Sequence, residues 1–190
     1  MRQLALIVHI SLDGFVAGLE GELDNFPAGE ENLAFVNTLT AGVDTVLFGR
    51  RTYELLNKYW PTAKDGSAAT KGEIDYSNWY NSVTKLVVST TMAKGSIDNT
   101  TIISSDVCRE VARIKEQKGG NILIFGSPSV ARLLMQQNLI DSYRIFINPV
   151  IFGNGILLFA GELQLTKLKL VMTKPFLNGE IALNYELDRQ

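Results

Sequence analysis

Several residue types and patterns are scarce in this chain of 190 residues, and each scarcity excludes a class of protein. Cys108 is the sole cysteine, which excludes an intrachain disulfide and a cysteine-based zinc site and favours a reducing, cytoplasmic setting. The formal net charge is only −2, which argues against nucleic acid or an anionic membrane as the main partner. The N-terminal apolar run is too short to span a bilayer, and we expect it to form a first strand.

The composition that remains is typical of an ordinary globular domain. Hydrophobic residues make up 46% of the chain and charged residues 20%. A chain of this length can bury a core without disulfides or metals. Because no internal repeat, low-complexity tract or linker interrupts the sequence, we expect one domain over residues 1–190.

Apolar runs alternate with amphipathic segments, which predicts a three-layer α/β fold. Continuously apolar strands in the middle of the chain are typical of a parallel sheet covered on both faces. The last two strands have no helix between them and should pair antiparallel at one edge, in a mixed, mostly parallel sheet of about eight strands. Residues 61–78 are predicted to form an irregular excursion. Strands are predicted at 4–11, 45–48, 85–89, 100–104, 121–125, 143–148, 165–173 and 180–187, and flanking helices at 30–39, 51–59, 106–118 and 128–137.

Two arginines stand where the second predicted strand gives way to a helix. The strand ends at Gly49, and Arg50, Arg51 and Thr52 follow it. Cations at a helix N-terminus oppose the helix dipole unless an anion lies between them and the free amides. A bound phosphate would make both arginines favourable. The alternative interpretation is that both side chains simply extend into solvent.

Two further strands end in small hydroxyl-bearing or glycine residues, at Ser89-Thr90 and at Gly126-Ser127. The carboxyl ends of parallel strands meet at one edge of a sheet, which is where open α/β sheets bind their ligands. These residues therefore favour a phosphate-binding crevice. For Ser127 an ordinary alternative stays open, in which it caps a helix that has Pro128 at its first position.

His9 is the sole histidine and lies in the first predicted strand. Strand alternation places it on one face with Ala5, Ile7 and Ser11. Two interpretations remain open: a hydrogen-bonded core histidine, or the wall of a substrate or cofactor pocket that can donate a proton. No metal site is predicted, and no signature supports a hydrolytic triad built on this histidine.

Five stretches occur in an order and spacing that resemble the dihydrofolate reductase-like fold family. Within that family they are similar to the C-terminal reductase domain of the bacterial bifunctional riboflavin-biosynthesis deaminase–reductase. The chain lacks the cysteine and histidine zinc signature of a deaminase, which excludes the bifunctional enzyme. The stretches are SLDGFVA (11–17), LFGRRTYE (47–54), KLVVST (85–90), ILIFGSPSVARLL (122–134) and LIDSYRIFINPVIFGNGILLF (139–159).

The resemblance implies an NADPH-dependent reductase that transfers a hydride to a small pyrimidine- or pterin-like heterocycle, similar to 5-amino-6-(5-phosphoribosylamino)uracil reductase. It implies that His9 lies beside the nicotinamide. It also makes Glu31 the nearest match to the buried acid that protonates the pterin in dihydrofolate reductases, so these two are the candidate catalytic residues. The implied cofactor-binding residues are Asp13, Gly14, Val16 and Ala17 over the nicotinamide, Gly49, Arg50, Arg51 and Thr52 at the phosphates, Ser89 and Thr90 near the 2′-phosphate, and Gly126, Ser127, Ser129 and Val130 at the pyrophosphate.

Three questions stay open from the sequence. Ser127 stands where the family usually has a second glycine, and its side chain would either crowd the pyrophosphate or donate a hydrogen bond to it. The alternative functions are a dihydrofolate reductase proper and a non-catalytic NADP-binding protein that has kept the phosphate sites. The apolar segment 147–159 would be buried either in the core of its own chain or against a second copy, which would make a homodimer.

Overall fold

The computed structural model describes residues 1–27, 29–92 and 97–188. These residues form sixteen segments of regular structure, one of which is a single 3₁₀ turn at Ala63–Asp65. The strands are β1 (Leu4–Ser11), β2 (Phe15–Ala17), β3 (Val43–Gly49), β4 (Thr84–Val88), β5 (Thr100–Ile103), β6 (Asn121–Phe125), β7 (Ser142–Asn148), β8 (Ile156–Leu157), β9 (Leu168–Pro175) and β10 (Ile181–Leu187); the helices are α1 (Glu30–Leu39), α2 (Arg50–Asn57), α3 (Lys71–Ser82), α4 (Val107–Glu116) and α5 (Pro128–Gln136).

One eight-stranded sheet organises the fold, in the order β5-β4-β3-β6-β1-β7-β10-β9. The first six strands in this order are parallel to one another, β10 is antiparallel to β7, and β9 is antiparallel to β10 at the edge. The predicted fold class is therefore confirmed: a mostly parallel sheet of eight strands with an antiparallel C-terminal pair.

Helices cover both faces of this sheet and give it two separate cores. Strand β1 contributes to both, because Leu4 and Leu6 pack on the face covered by α4 and α5, whereas Ala5 and Ile7 pack on the face covered by α1 and α3. This is the alternation that the sequence predicts for β1. Burial of each large aliphatic side chain stabilises the fold by about 1.5–3 kcal/mol, so the central strands form a rigid base for residues at their ends.

The irregular excursion predicted for residues 61–78 is wrong, because α3 begins inside it. Thr70 and Glu73 form a capping box, in which the Glu73 amide donates to Thr70 Oγ1 and the Thr70 amide donates to Glu73 Oε2 at 2.8 Å. Tyr76 and Tyr80 then bury one side of the helix. The polar composition concealed a helix start whose Thr-x-x-Glu signature is present in the sequence.

Two short strands were also not predicted, and they fix the loop that follows β1. In β2 and β8, Phe15 pairs with Leu157 and Ala17 with Ile156. The separate two-stranded ribbon joins the loop after β1 to the segment after β7. Each strand is too short to show a periodic pattern, so only the tertiary structure reveals the pair.

Candidate active site

A cavity of about 1270 Å³ opens beside the carboxyl ends of β1, β3 and β6. Its walls also include the first turns of α2 and α5, the inner side of α1 and the segment that precedes α1. This volume exceeds that of a typical small-molecule pocket, and it can hold two ligands side by side. The end near α2 and α5 is called here the phosphate end, and the end near His9 is called the imidazole end.

Ser127 joins the two helix starts at the phosphate end. Its Oγ accepts a hydrogen bond from the Gly49 amide at 2.6 Å and donates to Thr52 Oγ1 at 2.8 Å. Ser127 is the N-cap residue of α5 with Pro128 at the first helical position, as predicted, but it has a φ of +50° and makes no side-chain capping bond to its own helix. The Ser127 side chain is therefore directed toward the start of α2 and holds β3 and β6 together.

Gly126, next to Ser127, leaves open space above the backbone. It has a φ of +50°, and no atom lies within 4 Å of the position where a Cβ would stand. A side chain there would be conformationally strained and would enter that space. The free amides at the start of α5 adjoin this space, which is the arrangement that proteins use to bind phosphate groups. The residues present thus fit a phosphate-bearing cofactor.

The two arginines that begin α2 have different surroundings. Arg51 lines the cavity. Arg50 points the other way, where its Nη1 donates to Thr91 Oγ1 at 3.0 Å and its Nε lies 3.7 Å from Glu54 Oε1. The Oγ of Ser89 accepts from the Thr91 amide, so Arg50 is connected to the end of β4. The pair therefore offers one cation inside the cavity and one at its outer rim.

His9 forms the wall of the imidazole end. Its ring stacks on Phe146 with centroids 4.6 Å apart and planes 14° apart. Its Nδ1 lies 2.8 Å from Oε1 of Glu180, whose side chain has no exposed surface. The other oxygen of Glu180 accepts from Asn32 Nδ2 at 2.6 Å. Both interpretations of His9 therefore hold in part, since one side of the ring contacts the core and the ring lines the cavity.

Glu180 was missed by sequence reasoning because it follows a tight turn and looks like a surface residue. Gly179 takes a φ of +88°, and the Phe176 amide donates to the Glu180 carbonyl oxygen at 2.9 Å. The turn places Glu180 directly before β10, which lies beside β7 in the sheet. Strand order therefore brings this carboxylate to β1 from the far end of the chain.

Glu31 is not a buried acid. Its side chain is 44% exposed, it accepts a hydrogen bond from the Leu177 amide, and it lies 3.7 Å from Lys174 Nζ. The buried carboxylate beside the cavity is Glu180 instead. The resemblance pointed to Glu31, whereas the next residue, Asn32, is the one that donates a hydrogen bond to the buried acid. The role of Glu31 as proton donor stays a prediction.

Asp13 fixes the loop after β1 rather than lining the cavity. Its Oδ1 accepts from Ser11 Oγ at 2.6 Å and from the Phe152 amide at 3.1 Å, and its Oδ2 accepts from the Gly153 amide at 2.8 Å. The Ser11 hydroxyl, together with these amides, lowers the pKa of the Asp13 carboxyl. The loop is thus tied to the segment after β7, and β2 presents Val16 to the cavity.

The structure brings together about half of the residues that the sequence predicts for the site. Val130 lies outside the cavity lining because it is buried beneath the start of α2, and Thr90 is exposed beyond β4. The predicted residues that line the cavity are His9, Val16, Ala17, Gly49, Arg51, Thr52, Gly126, Ser127 and Ser129. Those outside its lining are Asp13, Gly14, Glu31, Arg50, Ser89, Thr90 and Val130.

Residues 1–27, 29–92 and 97–188 contain neither a cluster of metal-ligating side chains nor a membrane-spanning helix. Within these ranges, no three histidine, cysteine, aspartate or glutamate side chains come together as a metal site would require. No helix in the same ranges has the length and apolar character needed to cross a membrane.

The fold and the cavity define an α/β domain of the dihydrofolate reductase-like class. The chain belongs to the RibD C-terminal domain family, whose model matches residues 2–181. It therefore has the reductase fold of that family.

Individual relatives agree with this assignment. An uncharacterized protein of Bacillus subtilis strain 168, YyaP, is 31% identical over 185 residues, which are 97% of this chain and 94% of YyaP. A Shewanella sp. PV-4 protein named for riboflavin biosynthesis superimposes with a TM-score of 0.73 at 23% identity, with complete coverage of both chains. Dihydrofolate reductase from Enterococcus faecalis, solved with NADP(H), superimposes with a TM-score of 0.68 at 16% identity, over 98% of this chain and 96% of that one. At these identities the two solved structures show the shared fold.

Proposed function

We propose that this protein is an NADPH-dependent reductase that transfers a hydride to a pyrimidine- or pterin-like heterocycle. The observation that carries the proposal is a single cavity with two chemically different ends. One end offers arginine, hydroxyls and helix amides, and the other offers an imidazole beside a buried carboxylate. Membership of the RibD C-terminal domain family supports an oxidoreductase.

The phosphate end is suited to the cofactor pyrophosphate. Arg51, Thr52 and Ser129 line it, and the backbone at Gly126 faces open space. Arg50 and Thr91 at the outer rim are placed to receive a ribose 2′-phosphate, which distinguishes NADPH from NADH. When bound, the reduced nicotinamide supplies the hydride, and the protein orients it and excludes water.

The imidazole end is suited to a flat heterocycle. Phe26 and Leu33 line the cavity on the side of α1, and further apolar side chains such as Leu55 and Trp60 line the wall opposite. Phe26 also lies 6.3 Å from the His9 ring, centroid to centroid. Such surfaces bury a planar ring, while the few polar groups fix its orientation.

A paired titration with NADPH and NADH tests the cofactor half of the proposal. Trp60 lines the cavity, so quenching of tryptophan fluorescence reports on binding. We expect micromolar NADPH binding, clearly weaker NADH binding, and about 10-fold or greater loss of NADPH affinity in Arg51→Ala, because a charge-assisted hydrogen bond is removed. Arg113→Ala, which removes an exposed arginine paired with Glu110 on α4, is the matched control.

A panel of substrates tests the catalytic half. NADPH oxidation should be followed with dihydropterins and with phosphorylated and unphosphorylated aminopyrimidines. Turnover of a compound from either class supports a reductase. Turnover of an aminopyrimidine would indicate the riboflavin-type reaction, and turnover of a dihydropterin would indicate that of dihydrofolate reductase. Tight NADPH binding without reduction of any heterocycle would favour the non-catalytic NADP-binding alternative. Absence of NADPH binding would contradict the proposal as a whole.

A further inference from the structure

Next to His9 lies a carboxylate that the proposed reaction does not yet use. The Glu180 side chain has no exposed surface, and its Oε2 accepts a hydrogen bond from Asn32 Nδ2 at 2.6 Å. Its Oε1 lies 2.8 Å from His9 Nδ1 and makes no hydrogen bond in the present orientation of the ring. A buried polar oxygen without a donor is unfavourable, and a proton on Nδ1 would give Oε1 the donor that it otherwise lacks.

This contact decides which imidazole nitrogen is available to a ligand. Nδ1 faces the buried Glu180, whereas the His9 side chain is 33% exposed and lines the cavity, so Nε2 is the nitrogen left for the cavity. Phe146 stacks on one face of the ring. Asn32 holds the second carboxylate oxygen, which prevents Glu180 from turning away from the imidazole.

The other charged groups on the elements around this pair are mostly acidic. Glu20 and Glu30 line the same cavity. Glu31 on α1 pairs with Lys174 on β9 at 3.7 Å, and Arg144 on β7 interacts with Glu186 on β10. A positive charge that forms on the His9 ring would be compensated by the Glu180 carboxylate beside it.

On the basis of the reductase function proposed above, we propose that Glu180 is the positioning residue of a histidine proton donor, with Asn32 holding the carboxylate. The protonated His9 ring gives its Nε2 proton to a substrate nitrogen, and a reduced nicotinamide, when bound, would supply the hydride for the adjoining carbon. The substrate C=N bond gains one hydride, with its electron pair, and one proton, and becomes a C–N single bond. His9 is left neutral with its Nδ1 proton facing Glu180, and water in the cavity returns the Nε2 proton.

The chain contains one histidine, so histidine-selective ¹⁵N labelling reports on His9 alone, without cofactor or substrate. For the neutral ring of the wild-type protein we expect the Nδ1–H tautomer. Glu180→Gln should reverse the tautomer, because Asn32 donates to the side-chain oxygen and the new amide then donates to Nδ1. Glu116→Gln, which removes an exposed carboxylate from the end of α4, is the matched control and should keep the wild-type tautomer.

Either of two spectra would overturn the proposal. One is an Nε2–H tautomer in the wild-type protein, which needs no variant to fold. The other is the same tautomer in folded Glu180→Gln as in the wild type. Both results would mean that the buried carboxylate does not determine the protonation of the His9 ring.

Turnover of the complete enzyme with its cofactor gives a second readout. Glu180→Gln should lower kcat by about 100-fold or more, with KM and the NADPH dissociation constant unchanged, and Glu180→Asp should recover part of the loss. An unchanged kcat in Glu180→Gln would overturn the proton-donor role. Absence of NADPH binding by the wild-type protein would instead reject the proposed function, and the tautomer spectra would still decide whether Glu180 orients His9.

Discussion

The two ends of the cavity are built from different kinds of connection along the chain. At the phosphate end, Gly49 is the last residue of a parallel strand, and Arg51 and Ser127 each lie two residues beyond a strand end, so their neighbours in sequence define much of their surroundings. At the imidazole end, His9 from the first strand meets Glu180 from the turn before the last one. The first end is built by local backbone geometry, whereas the second depends on the order of strands in the completed sheet.

The largest expected effect lies at the imidazole end, in His9→Gln. The glutamine amide can still donate a hydrogen bond to Glu180, but it cannot release a proton to a substrate. We expect kcat to fall by about 10²–10⁴-fold while NADPH affinity is retained, as measured by NADPH oxidation and fluorescence titration. Equal losses of cofactor affinity and turnover would contradict the division into two ends.

The corresponding change at the phosphate end is Ser127→Ala. It removes the acceptor of the Gly49 amide and the donor to Thr52, so the free energy of unfolding should fall by about 1–3 kcal/mol. Denaturant unfolding of the variant and of the wild type measures this difference in the free energy of unfolding. Ser105→Ala, at an exposed position before α4, should have little effect. Equal stability of Ser127→Ala and the wild type would show that Ser127 does not connect the two helix starts.

The stability of the loop after β1 should depend on pH through Asp13. Hydrogen bonds from Ser11, Phe152 and Gly153 favour the charged carboxylate, so its pKa is lower in the folded than in the unfolded protein. Its contribution is fully present above about pH 4 and is lost as pH falls through the lower, folded pKa. Asp13→Asn should therefore be less stable than the wild type at pH 7, and the difference should shrink near pH 3. A difference that is constant across this range contradicts the assignment.

The smallest expected effect is that of Arg50→Ala on stability. Arg50 contacts Thr91 and Glu54 at the exposed rim, and exposed pairs of this kind contribute about 0–1 kcal/mol. The same change should nevertheless reduce the preference for NADPH over NADH, because the rim is where the 2′-phosphate is proposed to bind. Chemical unfolding and the paired titration measure the two effects separately. An unchanged preference would place the 2′-phosphate elsewhere.

The difference between the ends also explains how much could be predicted from the sequence. The sheet, its antiparallel edge and the residues after β3 and β6 follow from local apolar patterns and from short motifs such as the one that contains Gly49 and Arg51. Glu180 could not be predicted, because its burial results from the pairing of β10 with β7 and from a contact with Asn32 on α1. Glu31 was predicted from its position along one helix. That position does not reveal that the neighbouring residue, Asn32, is the one that contacts the buried carboxylate.

A crystal structure of the protein with bound NADP⁺ tests the central claim most directly. The account predicts the pyrophosphate beside Gly126, Ser129 and Arg51, and the nicotinamide ring beside His9 with the remaining volume of the cavity open to substrate. A cofactor bound in the reverse direction, or a pyrophosphate away from these residues, would contradict the assignment of the two ends.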